Sequence, residues 1–338
     1  MVRTGSHGYL EWGFESSYAS GGTADKKFGL QDRLSSLSLT NNRINLPSLN
    51  QNTLHSFAYG QQAGSASVSF VLSNPWIIGS VLGAPTTSTE SGSLKKHLYP
   101  ASGGLNKEPR TILLDVGFDG ASADLVRTLK GGLVNTLSVS ASVGGLVECT
   151  ADISYGKETA PSTTLGAAPT KPVTANEFPY TFAHAELRVG GNLVAECQDA
   201  NISLAQNGEL LYGLNSHHAV DAYRRVLDIT GSFRAAWVNK TLLEEVLEQI
   251  RAGTSSGTYS ETVAGSPEFR LIFNKTDSIA SNGTFTPSDQ SIEISLTGLS
   301  ISDLGISGFE PAEPIFEEIN WQAKEITVKA YNLQTAEE

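Results

Sequence analysis

The string Gly253-Thr254-Ser255-Ser256-Gly257 has the G-x-S-x-G spacing in which a strained strand-to-helix turn presents a serine hydroxyl for attack. Here it follows an apolar helical pattern instead of a strand, so the required context is missing and the string reads as a loop. His217-His218 supplies two imidazoles, but neighbours on an extended chain point oppositely, and no cysteine or acidic cluster accompanies them. They read as a solvated turn. The carboxylates between residues 310 and 318 read as a solvated loop, not as an acid and base pair. Cys149 and Cys197 stand outside any C-x-x-C or other ligand spacing, each within an alternating run, and read as buried free thiols. Neither phosphate-cradling glycine pattern occurs, so the glycines serve turns. The sequence therefore names no catalytic, cofactor-binding or metal-binding residue and no cofactor, and an enzyme is not expected.

Composition narrows the class further. At 338 residues the chain is long enough for one large or two ordinary domains. Only 17% of residues are charged, and apolar residues come in short alternating runs among Ser, Thr, Gly and Asn, as in a β-rich globular protein. The formal net charge of -12 argues against a protein that grips phosphate backbones, and Lys95-Lys96-His97 and Arg224-Arg225 are too short to form a nucleic-acid patch. A surface that lets DNA pass stays compatible. No run approaches the roughly 20 apolar residues of a membrane span, and the first residues lack the apolar core of a signal peptide, so folding in the cytoplasm without membrane insertion is expected.

The elements that would carry such a surface are strands. Residues 201–251 read as strand, turn, strand, helix. Ile202 and Leu204 alternate with polar neighbours up to Asn207-Gly208, a pair that tolerates positive φ. Leu227, Ile229, Phe233, Ala235 and Trp237 then share one face of a strand. Thr241 and Glu244 have capping-box spacing ahead of an apolar stripe through Ile250. Earlier, Leu37 and Leu39 alternate and stop at Asn41-Asn42, another turn signal. Ala66, Val68, Phe70 and Leu72 face one way, and Asn74-Pro75 opens a short helix with Ile77, Ile78, Val81 and Leu82. Leu37 and Leu39 precede Ile202 and Leu204 by 165 positions, and the helix stripe beginning at Ile77 precedes the one beginning at Leu242 by the same 165. An internal duplication follows.

Residues 84–110 read as a polar loop, and Ile112 to Phe118 as a strand. Leu137 to Val143 and Val147 to Tyr155 form a hairpin about Gly144-Gly145. In the second half, the run from Ile292 to Leu296 is the outgoing strand, and the runs from Ile319 to Ala323 and from Ile326 to Ala330 form its return. Trp237 and Trp321 are expected in the core. The expected fold is mainly β with one short helix per repeat, as two tandem β-sandwich or β-barrel domains over 1–158 and 180–338, joined by a Pro- and Thr-rich linker at 159–179, with the segment 8–27 an arm or loop.

This order of features resembles the tail tube proteins of long-tailed bacteriophages and related archaeal viruses. Trp12-Gly13-Phe14-Glu15-Ser16-Ser17-Tyr18 is similar to the opening G-x-E-x-x-Y-G of that family, with Ala19 in place of the last Gly. Glu209-Leu210-Leu211-Tyr212-Gly213-Leu214 and the run Val226 to Phe233 resemble its central tyrosine loop and V-T-G-S-F strand, and Leu137 to Lys157 its Ser-faced hairpin.

The resemblance implies a structural virion protein, assembled in the host cytoplasm, that self-assembles into stacked rings. Its partners would be itself, other tail proteins, and viral DNA passing non-specifically through the lumen during ejection. The duplication leaves two rings open, a hexamer with twelve domains or a trimer that mimics a hexamer. Two other readings remain at this point: a distal tail or baseplate hub protein built from the same domain, and a β-sandwich module that binds carbohydrate or a cell surface. Strand edges and the Ser-rich faces around residues 65–73 and 138–142 are the expected assembly surfaces, with the long loops 84–110, 159–179 and 301–318 and the N-terminal segment at inter-ring contacts.

Overall fold

The computed structural model describes residues 8–47, 56–100, 110–118, 125–159, 178–190, 192–194, 196–237, 268–276, 285–308, 310 and 314–334. The first half contributes β1 (Gly8–Phe14), β2 (Leu30–Leu46), β3 (Ser56–Val71), α1 (Ile78–Leu82), β4 (Thr86–Ser91), β5 (Leu94–Tyr99), β6 (Ile112–Phe118), β7 (Leu125–Ser142), β8 (Glu148–Tyr155) and β9 (Lys157–Glu158). The second contributes β10 (Ala185–Val189), β11 (Asn192–Leu193), β12 (Cys197–Ala205), β13 (Glu209–Tyr212), β14 (Ala219–Tyr223), β15 (Asp228–Ala236), β16 (Phe269–Asn274), β17 (Ser291–Thr297), β18 (Ser300–Ser307), β19 (Phe316–Ala323) and β20 (Glu325–Asn332). The mainly β expectation holds, and among the described residues every strand pairing is antiparallel.

A long sheet runs in the order β18-β19-β15-β12-β7-β8-β3-β2, and a second in the order β11-β10-β16-β17-β20-β5-β4. Both cross the division between the halves, since β12 lies beside β7 and β20 beside β5. Period-two alternation puts Ile202, Leu204, Phe233, Val139, Ala151, Val68 and Trp321 on the inner face of the long sheet, all buried. Leu187, Phe269, Leu271, Ile294 and Val328 of the second sheet are buried in the same apolar cluster. Phe269 joins the layers, with its ring centroid 5.4 Å from Phe233 and 5.9 Å from Trp321, both edge-on.

β7 serves two sheets. Its N-terminal part pairs with β6, which carries β1, and its C-terminal part lies between β12 and β8. The change of direction falls at Gly131, whose φ of 65° suits glycine. Glu15 fastens this corner by accepting hydrogen bonds from the backbone N–H of Gly131 at 2.9 Å and of Ala19 at 3.0 Å. The segment after β1 folds back through a bridge between Trp12 and Lys26, so it is a packed loop and not a free arm.

Several expectations are corrected. Residues 84–110 are not all loop, because β4 and β5 form a hairpin on the edge of the second sheet. β4, TTSTES, is exposed throughout, so threonine's β-preference acts there without apolar alternation to reveal it. Asn41-Asn42 does not end β2. It is a bulge opposite Gly60, where any side chain would collide with the Asn42 carbonyl. The polar connection around His217-His218 holds the hairpin β13–β14. Residues 301–318 include β18 and the start of β19, not a continuous loop.

β17 does not return into β19. It pairs with β16 and β20, and the chain leaves it at Gly298, φ 66°, to enter the long sheet as β18. Trp237 is 43% exposed, because β15 ends one residue before it, whereas Trp321 is buried as expected. In the first half the Asn74-Pro75 helix is present as α1, wholly buried. The expected second helix, residues 241–251, lies outside the described residues, as does nearly all of the 159–179 linker.

Candidate functional site

The side of the long sheet away from the second sheet is built from the residues between its inward apolar positions. Strand register lines them up in rows. One row runs Asp303, Asn320, Ser232, Asn201, Ser140, Glu148 across six strands, and the next runs Gln322, Thr230, Ser203, Ser138, Thr150, Ser69. Each member is exposed or half-buried. The short hydroxyl side chains are tied to one another or to the backbone instead of extending outward. Ser38 and Ser65 share a hydrogen bond of 2.8 Å, Ser35 and Ser69 one of 3.2 Å, and Ser67 donates to Asp152 at 2.7 Å. Side chains held in this way leave a low, hydrated surface with few long flexible groups.

The same face carries the carboxylates of Glu148, Asp152, Asp199, Asp228, Asp303 and Glu318, with Arg33 and Arg234 as its described cations. Arg234 lies flat over Phe316, its guanidinium carbon 3.9 Å from the ring centroid, which commits it to an aromatic neighbour. The surface is therefore polar and acidic over the breadth of the sheet, the wrong sign for holding a phosphate backbone.

The sequence-level candidates for chemistry do not converge. Ser255 lies outside the described residues. His217 is exposed on the β13–β14 connection, its Nδ1 3.1 Å from the Gly60 carbonyl oxygen. Cys149 and Cys197 are both free; Cys149 is buried and Cys197 half-buried. Burial raises the Cys149 thiol, and burial followed by the charge of Asp199 pushes Cys197 up to about 12, so both are held as thiols at neutral pH. Cys197 borders a cleft of about 370 Å³ at one end of the sandwich, whose walls are mainly apolar, with Ala141, Leu187, Ala200 and Leu271 among them. Among the described residues no cluster of three metal-ligating side chains occurs, and no helix is long and apolar enough to cross a membrane.

Of the acidic stretch at 310–318, Glu318 is exposed, but Glu317 is 1% exposed and faces inward from β19, contrary to the solvated-loop reading. Its Oε1 has no hydrogen-bond partner, and burial raises its pKa. A raised carboxyl favours the folded state fully below the ordinary carboxylate range, and that advantage is lost as pH rises through the folded value. Glu317→Gln is therefore expected to stabilise the chain at pH 7, on the order of 1 kcal/mol, and to change little near pH 4. Denaturant midpoints at the two pH values check this.

The family model described as phage tail tube protein matches residues 5–322. The chain belongs to that family. The match takes in both halves and reaches to the penultimate residue of β19. No curated protein matches the sequence. As a tail tube family member the chain is a structural component of the virion tail, and among the described residues its polar sheet face extends in register across six strands. Sequence alternation exposed this face at residues 65–73 and 138–142. It missed the contribution of β18, which the chain reaches through the turn at Gly298, and it read Ile319 to Ala323 as the return of β17 instead of a strand beside β15.

Proposed function

We propose that the chain assembles into rings, that the rings stack into the tail tube, and that the polar face of the long sheet lines the channel through which viral DNA leaves. The observation that carries this is the continuous Ser-, Thr- and carboxylate-rich face, backed over its central strands, from β3 to β19, by a buried sandwich core. Such a wall offers DNA hydration and mild repulsion in place of counterion-releasing contacts. Assembly in the host cytoplasm and contacts with other tail proteins belong to the same reading.

Channel width favours three chains per ring. Strands about 4.8 Å apart, tilted about 40° in a closed sheet, give roughly 2 Å of diameter per strand. Each chain supplies the eight strands of the long-sheet path. With about 10 Å removed for side chains, two chains leave an opening of roughly 20 Å, three roughly 38 Å and six roughly 85 Å. Only the middle value suits one hydrated duplex. Electron microscopy of the purified chain over a concentration series tests the proposal. Annular particles and tubes with an open lumen are expected; a monomer at every concentration, with no tube of this protein in virions, would overturn it. Dozens of ring copies per virion, instead of a few, separate a tube subunit from a distal tail or hub component.

A further inference from the structure

The long sheet contains the same four-strand order twice. From the β2 edge it reads β2-β3-β8-β7, and it continues as β12-β15-β19-β18. Leu37, Ala66 and Leu72 correspond to Ile202, Gly231 and Trp237, each 165 positions later. The pairing repeats with them: Leu37 lies opposite Ala66 as Ile202 lies opposite Gly231. The strand ends repeat too, since Leu72 N–H donates to the Val147 carbonyl at 2.9 Å and Trp237 N–H to that of Ile315 at 2.8 Å. Following β8 and β19 from those carbonyls makes Ser140, Val139 and Leu137 the counterparts of Ser307, Ile306 and Leu304.

The two units are joined head to tail by β7 and β12, which leaves β2 at one end and β18 at the other. Among the described residues neither edge has a second strand partner. β2 is 17 residues long and β18 eight, and neither contains proline or lysine, the residues that usually protect an exposed edge. The apolar positions they leave uncovered match: Leu39 is 37% exposed and Ile306 41%, whereas their counterparts Leu204 and Val139 are buried at 4% and 3%.

We propose that β2 of one chain pairs antiparallel with β18 of a second copy, in the register that β12 and β7 use within the chain. Ile202 opposite Val139 and Asn201 opposite Ser140 become Leu37 opposite Ile306 and Ser36 opposite Ser307. Leu39 then falls opposite Leu304, Ser38 opposite Gly305 and Thr40 opposite Asp303. Residues 36–40 and 303–307 are both free of bulges, so the alternation stays in phase. Apolar positions meet apolar ones on the core side, and the Ser and Thr positions extend the polar rows without a break. The junction inside the chain is thus a covalently tethered copy of the junction between chains.

This inference rests on the ring-forming reading, and the test separates the two. Ser36→Cys and Ser307→Cys chains are mixed, assembled and oxidised; each substitution is at an exposed site. A disulfide requires Cα atoms within about 7 Å, and a two-residue slip moves the partner by about 7 Å along the strand, so the bond reads register. The expected result is a cross-linked dimer only in the mixture, none when Ser307→Cys is replaced by Asp303→Cys, and a ladder ending at a closed ring in the double variant. Tubes that form without the 36–307 cross-link, or that cross-link 36 to 303 instead, overturn the pairing and leave the tube reading standing. If no ring or tube forms from the unmodified chain, the tube reading fails and the pairing with it. Tracing strands across the chain boundary in an image reconstruction of unmodified tubes gives the same decision without substitutions.

Discussion

Replacing Phe269 by alanine is expected to destabilise the unassembled chain by about 3–5 kcal/mol, against about 1–3 kcal/mol for Phe269→Leu, which loses the two ring contacts but little volume. Phe269 is 1% exposed on β16 and presents its ring edge-on to both Phe233 and Trp321. These partners stand on adjacent strands of the long sheet, so one side chain from the second sheet fills the space between two of its strands. Truncation loses the burial of the ring, leaves a void and removes both edge-on contacts, which contribute about 0.5–1.5 kcal/mol each beyond area. Leucine keeps most of the volume. Denaturant unfolding of the unassembled chain checks this: the midpoint falls with little change in slope. Assembly must be suppressed during the measurement, because ring contacts would add stability by mass action. A midpoint unchanged by alanine would mean that the two sheets are not held together through this side chain.

That central packing was legible in the sequence because its residues alternate. Ile202, Leu204, Ile229, Phe233, Val68, Phe70, Val139 and Trp321 were all read as inward-facing, and all are buried. What stayed hidden follows from the same rule. β4 is exposed on every residue, and β18 is largely exposed, so neither has two contrasting faces and both resembled loops. Asn41-Asn42 carries the composition of a turn, but a bulge needs the same residues, and only Gly60 across the ladder distinguishes the two. Pairing between distant strands was the largest loss. The 165-residue offset exposed the repeat, yet not that the second unit continues the sheet of the first, since alternation records which face a residue occupies and not which strand lies beside it. The polar face was legible in pieces for the same reason: its Ser and Thr positions were visible strand by strand, while the acidic rows formed by Glu148, Asp199 and Glu318 exist only once those strands are side by side.

Those three carboxylates lead to the other large expected effect. Tubes assembled from Glu148→Lys, Asp199→Lys, Glu318→Lys chains should retain DNA that wild-type tubes release. All three positions are exposed on the polar face, and because Asp199 and Glu318 stand opposite Arg234 on either side, where lysines add like-charge repulsion, tube formation by the variant is checked before DNA retention is read. Each chain changes by six charge units, and the change is repeated around every ring. When lysines neutralise phosphates, condensed counterions are released, and log K falls with log salt at a slope of about −0.9 for each phosphate contacted. Six such contacts weaken binding roughly 10³-fold between 50 and 200 mM salt. The expected result is therefore DNA held by variant tubes at low salt and released steeply as salt rises, with wild-type tubes binding little at either. Virions carrying the variant should eject slowly at low ionic strength and recover at high. Glu148→Gln, Asp199→Asn, Glu318→Gln tubes separate loss of repulsion from gain of attraction and should fall between the two. If lysines at these positions leave DNA retention and its salt dependence unchanged while tubes still form, the polar face does not line the channel.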